Sequence, residues 1–216
     1  MIREMRAAIF DLDGVIVDTA KYHYLAWKRL ANAHGFDFTE VDNERLKGVS
    51  RTQSLEILLE IGGLACDQAA KLQMAAQKNE WYVDHIRHMD TSEILPGATE
   101  YLQWLRARGI KTALGSASQN APLILERLGI SALFDVIVDG NKVTKAKPDP
   151  EVFLRAAEEL DIPPASCIVF EDAEAGVEAA CRAGMGAVGI GNFYSLTKAD
   201  MVIPGLFELV VVSAYS

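Results

Sequence analysis

Apolar residues follow two different patterns along this chain. Ala7-Ala8-Ile9-Phe10 is a short uninterrupted apolar run with the length and flanks of a buried strand. It stops at Asp11-Leu12-Asp13-Gly14, and a helical period then holds for about seventy residues. Ala26, Leu30 and Ala33 recur at helical spacing, and Gly35 suits the end of that helix. Thr39 is placed to cap a short second helix running toward Leu46. The loop Lys47-Gly48-Val49-Ser50-Arg51 follows, then a third helix marked by Leu55, Leu58 and Leu59 and closed by Gly62-Gly63. Leu72, Ala76, Val83 and Ile86 mark a long fourth helix, and no strand is expected between 20 and 90.

From Pro96-Gly97 onward, helices and strands alternate. Ala98, Tyr101, Leu102 and Leu105 predict a helix, and 110–114 a strand that runs into Gly115-Ser116-Ala117-Ser118. Asn120 and Pro122 suit the cap and first turn of a helix reaching Gly129. Strands at 136–138, 167–170 and 186–190 alternate with helices starting at Asp149-Pro150 and spanning 174–183. Such alternation gives a parallel sheet covered on both faces. The predicted fold is therefore α/β, a Rossmann-like core of residues 1–17 and 91–216 with an all-helical domain, 18–90, inserted after the first strand. After Met201, residues 209–212 fit either a strand or a helix.

Composition acts mainly by exclusion. The 216 residues are 50% hydrophobic and 24% charged, enough for one large core or a core plus a small second domain. A formal net charge of −9 argues against nucleic acid and anionic membrane as partners, since both reward basic patches. Cys66, Cys167 and Cys181 are widely spaced and form no C-x-x-C pair, as in a reduced intracellular protein. No apolar run approaches the roughly eighteen residues of a membrane span, and no stretch fits a signal peptide. A cytoplasmic monomer is the expectation.

The chemistry lies at the predicted strand ends. Asp11 and Asp13, Ser116 and Ala117, and Glu171 and Asp172 each follow a strand, with Lys147 in the loop after another. In a parallel sheet those ends share one edge, where ligands of open α/β sheets bind. Taken singly, D-x-D-G reads equally well as a polar turn, Ser116 as a turn serine and Lys147 as a solvated lysine. Together, the four carboxylates would repel one another by roughly 4 kcal/mol per pair at about 4 Å and an effective dielectric near 20. A lysine and a divalent cation remove that cost, and an all-oxygen site suits Mg²⁺ rather than Zn²⁺. Such a site is built for phosphoryl transfer, which is mostly positioning and charge neutralisation. Ser116 leads into a helix N-terminus and offers its hydroxyl and backbone N–H groups to phosphate oxygens.

These motifs (Asp11-Leu12-Asp13-Gly14-Val15, Ser116-Ala117-Ser118, Lys147-Pro148-Asp149-Pro150 and Glu171-Asp172) resemble the haloacid dehalogenase superfamily over nearly the whole chain. With helices inserted after the first motif, and Leu46-Lys47-Gly48-Val49-Ser50-Arg51 among them, the chain looks closer still to the β-phosphoglucomutase family. The resemblance implies a Mg²⁺-dependent enzyme that interconverts β-D-glucose 1-phosphate and glucose 6-phosphate through β-glucose 1,6-bisphosphate. It implies Asp11 as the nucleophile and Asp13 as the general acid–base, with Mg²⁺ held by Asp11, the Asp13 carbonyl, Glu171 and Asp172. Ser116, the Ala117 N–H and Lys147 would hold the transferring phosphoryl group. Arg51, Ser118 and Asn120 would bind the other phosphate, and Gly48 and Val49 would border the sugar. Thr19, His23 and Lys78 resemble the group that positions Asp13. One departure is Gln119, where family members can carry lysine in Ser-Ala-Ser-Lys-Asn; it bears on the distal phosphate and not on the chemistry.

The nearest alternative is a sugar-phosphate phosphatase of the same superfamily, in which water accepts the phosphoryl group; Arg51 favours the mutase. A non-enzymatic phosphoacceptor domain has no need of Asp13, a second acid placed to move protons. Gly184-Met185-Gly186-Ala187-Val188-Gly189 spells G-x-G-x-x-G but follows a helix and leads into a strand, the reverse of the dinucleotide fingerprint. His85 and His88 lack the H-E-x-x-H pattern and read as solvated, and Trp27 and Trp81 read as packing residues.

Overall fold

The computed structural model describes residues 5–46 and 49–213. Its strands are β1 (Ala7–Phe10), β2 (Lys111–Gly115), β3 (Val136–Val138), β4 (Cys167–Glu171), β5 (Gly186–Ile190) and β6 (Met201–Ile203). All pair in parallel, in the order β3-β2-β1-β4-β5-β6. The order reverses at β1, which has β2 on one side and β4 on the other; in open α/β sheets that is where ligands bind. Phe10 pairs with Leu114 and with Phe170, so the residues that follow each of them emerge side by side. The Asp11 N–H donates to the Phe170 carbonyl at 2.9 Å, and the Ser116 N–H to that of Val138 at 3.0 Å.

Four helices follow β1: α1 (Ala20–Ala33), α2 (Glu40–Glu44), α3 (Arg51–Ile61) and α4 (Gln68–Ile86). Each of the last three starts on a residue able to satisfy the free N–H groups of a helix start. Thr39 and Asp42 form a reciprocal capping box, Ser50 accepts from the Gln53 N–H, and Asp67 accepts from the Ala70 N–H. The helices bury a core of their own around Trp27, Leu30, Phe38, Leu55, Leu58 and Met74. As the pattern predicts, the described residues between 20 and 90 contain no strand. The buried stripes differ in detail from the prediction. On α1 it is Ala31 that is buried and Ala33 that is exposed. On α4, Leu72 is 63% exposed and the buried line is Met74, Lys78, Tyr82 and Ile86. A lysine takes a core position there because it has a partner, as the site shows.

The chain returns to the sheet through Ile94, which bridges Val17, while the Leu95 N–H donates to the Ile16 carbonyl at 2.9 Å. Core helices α5 (Ala98–Ala107), α6 (Ala121–Leu128), α7 (Glu151–Leu160) and α8 (Glu174–Arg182) follow, with α9 (Phe207–Ser213) last. Side chains alternate across a strand, and β1 shows it directly. Ala8 and Phe10 pack in one core with α5 and α6, and Ala7 and Ile9 in another with α7 and α8. The helical block thus sits outside a doubly covered sheet, as expected for this fold class.

The tail resolves as helix α9, not strand, and a strand at Met201–Ile203 precedes it. Its three residues are only partly covered, so an edge strand left no alternating apolar signature. Strand β2 starts one residue later than predicted because the Ile110 N–H still closes α5, donating to the Leu105 carbonyl. No described helix is long and apolar enough to cross a membrane.

Candidate active site

The carboxyl edge of β1 and β4 carries the acids. Asp11, Glu171 and Asp172 each place a carboxylate oxygen within 4.8 Å of the others. Lys147 enters this cluster with its ammonium 2.6 Å from Asp11 Oδ1 and 2.6 Å from Glu171 Oε1. All three members of that bridge are buried. Burial alone would pull the Lys147 pKa down, but the charges and hydrogen bonds of Asp11 and Glu171 outweigh it, so the lysine is held firmly charged. Burial pushes Glu171 up from the usual carboxylate range, partly offset by Lys147. Burial and then the charges of Glu171, Asp11 and Asp13 push Asp172 up to about 8.

Two glycines make room for these acids. Gly14 has φ +74, and a Cβ there would lie 2.1 Å from Asp172 Oδ2; a Cβ at Gly176 would lie 1.8 Å from Glu171 Oε1. The glycine of D-x-D-G therefore serves the fit of Asp172 as well as the turn. A crowded all-oxygen set with excess negative charge fits a hard divalent cation such as Mg²⁺. The Asp13 carboxylate is not part of the set, because it turns away to accept a hydrogen bond from Thr19 Oγ1.

Asp13, also on the cavity wall, is displaced in the same direction as Asp172. Burial first, then the charge of Asp11, push it up to about 7, against the lowering effects of Thr19 and Lys147. Behind it, Lys78 Nζ lies 2.9 Å from His23 Nδ1 and over the rings of Trp27 and Tyr82, 4.6 Å from each centroid. Burial, then the nearby Arg51 charge, bring Lys78 down to about 7, with Asp13 opposing. His23 is held well below its ordinary value by burial and then by Lys78 and Arg51, which favours the neutral imidazole beside Lys78.

One cavity of about 440 Å³ joins these groups, within the size of small-molecule sites. From the core, Asp11, Asp13, Lys147 and Asp172 line it, with Ser116, Ala117, Ser118 and Asn120 of the loop after β2. The helical block contributes His23, Lys78, Val49 and Arg51. Thr19 and Glu171 stand just behind the wall, in contact through Asp13 and Lys147. Gly48 lies outside the described residues. All the other site residues expected from the sequence thus meet in one place.

Other residues at the cavity had no sequence signal. Trp27 belongs to the packing of the helical block, as expected, and also faces the cavity. Asn43 and Asn79 line it too; single asparagines on helices look like solvated positions until the fold is known. The loop after β3 braces the loop after β2. The Gly140 N–H donates to the Ser118 carbonyl at 3.2 Å and Asn141 Nδ2 to the Gln119 carbonyl at 2.9 Å. Of the motifs set aside, Gly184 ends α8 at φ +70, and His88 is exposed. His85 is half-buried and stacks on Tyr22, centroids 5.6 Å apart.

The lowered Lys78 pKa has a stability consequence of definite sign. Between pH 7 and about 10.5 the unfolded chain keeps a proton on Lys78 that the native state releases, so native stability rises with pH through that window. Lys78→Met removes the titration. Its stability relative to wild type is expected to be greatest near pH 7 and to decline steadily toward pH 10, measured by urea unfolding at several pH values. A difference independent of pH would show that Lys78 keeps an ordinary pKa.

Comparison with known proteins agrees with this geometry. The haloacid dehalogenase-like hydrolase model matches residues 5–184. A β-phosphoglucomutase of Bacillus subtilis (strain 168) is 47% identical over 201 residues, 92% of this chain and 89% of that protein. A phosphorylated carbohydrates phosphatase of Thermotoga maritima is 35% identical, covering 84% of this chain and 82% of the relative. A crystal structure of β-phosphoglucomutase from Clostridium difficile superposes with a TM-score of 0.91 at 44% identity, over 95% of this chain and 93% of that one. With its parallel sheet, inserted helices and strand-end acids, this chain belongs to the haloacid dehalogenase-like hydrolase family and is most similar, among these relatives, to its β-phosphoglucomutases.

Proposed function

We propose that this chain is a Mg²⁺-dependent β-phosphoglucomutase that interconverts β-D-glucose 1-phosphate and D-glucose 6-phosphate through an aspartyl-phosphate enzyme and β-glucose 1,6-bisphosphate. The observation that carries this reading is that one cavity is lined both by the acids of the core and by Arg51 of the inserted helices. A sugar bearing two phosphates needs a cation at each end, and the cavity has Lys147 at one and Arg51 at the other. Identity to the Bacillus subtilis protein supports the same substrate pair. The net charge of −9 favours a small free sugar phosphate over nucleic acid or an anionic membrane. Three unpaired thiols support a cytoplasmic setting. The proposed cap is residues 18–90 and the core 1–17 and 91–216, a division supported by the separate hydrophobic core of α1–α4 and the Val17–Ile94 bridge.

In the proposed mechanism Asp11 is the nucleophile. Lys147 engages Asp11 Oδ1, leaving the second oxygen to attack phosphorus; that P–O bond forms as the ester P–O bond breaks. Asp13 gives its proton to the departing sugar oxygen and, as carboxylate, takes one from the hydroxyl that attacks phospho-Asp11. A pKa near 7 makes both forms of Asp13 available around neutrality. Thr19, His23 and Lys78 hold Asp13 in position. Ser116, the Ala117 N–H and Lys147 hold the transferring phosphoryl group. Arg51, Ser118 and Asn120 hold the other phosphate, while Val49 and Gly48 border the sugar. Asp11, the Asp13 carbonyl, Glu171 and Asp172 would hold Mg²⁺, which would supply positive charge to the phosphoryl oxygens.

Two variants test these roles. Asp13→Asn retains the shape of the site and removes the proton carrier, so kcat should fall about 10²–10⁴-fold with substrate still bound. Unimpaired turnover in steady-state kinetics would take Asp13 out of the chemistry. Arg51→Ala removes a charge-assisted phosphate contact worth roughly 1.5–3 kcal/mol. Bisphosphate binding should weaken accordingly in titration calorimetry, while acetyl phosphate, too small to reach the helices, still phosphorylates Asp11. Undiminished bisphosphate affinity would remove Arg51 from the site.

A further inference from the structure

We infer that Asn79 is a positioning residue: its side-chain oxygen fixes the Asn120 amide of the core and thereby latches the inserted helices over the cavity. The inference rests on the mutase reading, in which Asn120 meets the phosphate that is not reacting.

Asn120 occupies the N-cap position of α6, where asparagine usually accepts a hydrogen bond from the helix's own free N–H groups. Here it makes no capping bond. Its Nδ2 instead donates to Asn79 Oδ1 at 2.9 Å, joining residues 41 positions apart. The backbone beneath it is already pinned. The Asn120 N–H donates to Ser118 Oγ at 3.3 Å, the Ser118 N–H to Ser116 Oγ at 3.1 Å, and Asn141 holds the Gln119 carbonyl. With the loop fixed, the direction of the carboxamide is set by Asn79. A carboxamide nitrogen carries two N–H groups, so binding to Asn79 leaves the other for a phosphate oxygen.

The bond's location makes it a latch. Lys21 and Tyr22 also join the helical block to the core, donating to Glu93 at 2.7 and 2.6 Å, but they lie at the linkers. Asn79 lies seven residues before the end of α4, about 10 Å along its axis, and both asparagines line the cavity. A bond there resists opening where a bond at the linkers cannot. Its sequence neighbour Lys78 packs inward on His23, Trp27 and Tyr82, so α4 contacts the acid–base group and the phosphate loop through adjacent residues.

A double-mutant cycle on the full-length protein tests the assignment. Wild type, Asn79→Ala, Asn120→Ala and the double variant are compared for KM with β-glucose 1,6-bisphosphate, for kcat, and for the share of turnovers that release free phosphate. Asn79→Ala should raise KM about 3- to 10-fold, the loss of one neutral hydrogen bond. It should also increase the phosphate share, because a cap without its latch admits water to phospho-Asp11. The double variant should match Asn120→Ala alone. Unchanged KM and phosphate share, or losses that multiply in the double variant, would overturn the inference. Alanine favours helix more than asparagine, and thermal melts detect any folding loss; a lower melting temperature with lower kcat but unchanged KM would mark a merely structural residue and also overturn it. A wild-type enzyme that releases phosphate stoichiometrically would refute the mutase reading instead, and the Asn79–Asn120 coupling would then be read from KM alone.

Discussion

One ammonium among four carboxylates is the constraint on which this site depends. Lys147 lies 2.6 Å from both Asp11 and Glu171, so its single charge is already shared by two acids. Asp13 and Asp172 stand in the same crowded region, and Lys147, with the Thr19 hydroxyl on Asp13, offsets only part of their burial and mutual repulsion. Like charges at such separations cost several kcal/mol per pair at protein dielectrics, and the cheapest response without a cation is to take up protons. That is the direction in which both acids are displaced. On Asp13 the outcome suits the proposed mechanism, because a proton held near neutrality is what a departing sugar oxygen needs. Asp11, the proposed nucleophile, is the acid that Lys147 holds from one side.

Two buried lysines show how completely the neighbours decide. Lys147 sits between carboxylates and is held charged. Lys78 sits against aromatic rings and near Arg51, and loses its proton far more readily than an ordinary lysine. The first comes from the core and bridges Asp11 and Glu171; the second comes from the inserted helices and meets His23 on the other side of the cavity. The core alone has the acids and the phosphate loop. The inserted helices add Arg51 to the same cavity.

Much of this was legible from residues alone, for identifiable reasons. A parallel strand buried on both faces is a short apolar run, and β1, β4 and β5 have that form; the ends of β1 and β4 carry acids that no core would otherwise accept. The helical block was legible through its glycine stops and the cap at Thr39; the Ser50 cap emerged only in the structure. Less legible was any feature set by tertiary neighbours. The buried face of α4 contains Lys78, which periodicity counts as polar, so the apparent stripe fell on Leu72, an exposed residue. Strand β6 is a three-residue edge with little burial. Asn79 has no local mark at all, since its significance lies in a partner 41 residues away. Gly14 was read as a turn glycine; only the packed structure shows Asp172 against its missing side chain.

In the proposed function a capped, crowded acid site passes the phosphoryl group to a sugar rather than to water. The most direct measurement is the product ratio: glucose 6-phosphate and free phosphate, assayed together, after adding β-D-glucose 1-phosphate, Mg²⁺ and a trace of β-glucose 1,6-bisphosphate to the purified protein. Glucose 6-phosphate is expected in large excess over phosphate. Phosphate released in step with substrate consumed, with no glucose 6-phosphate accumulating, would contradict it.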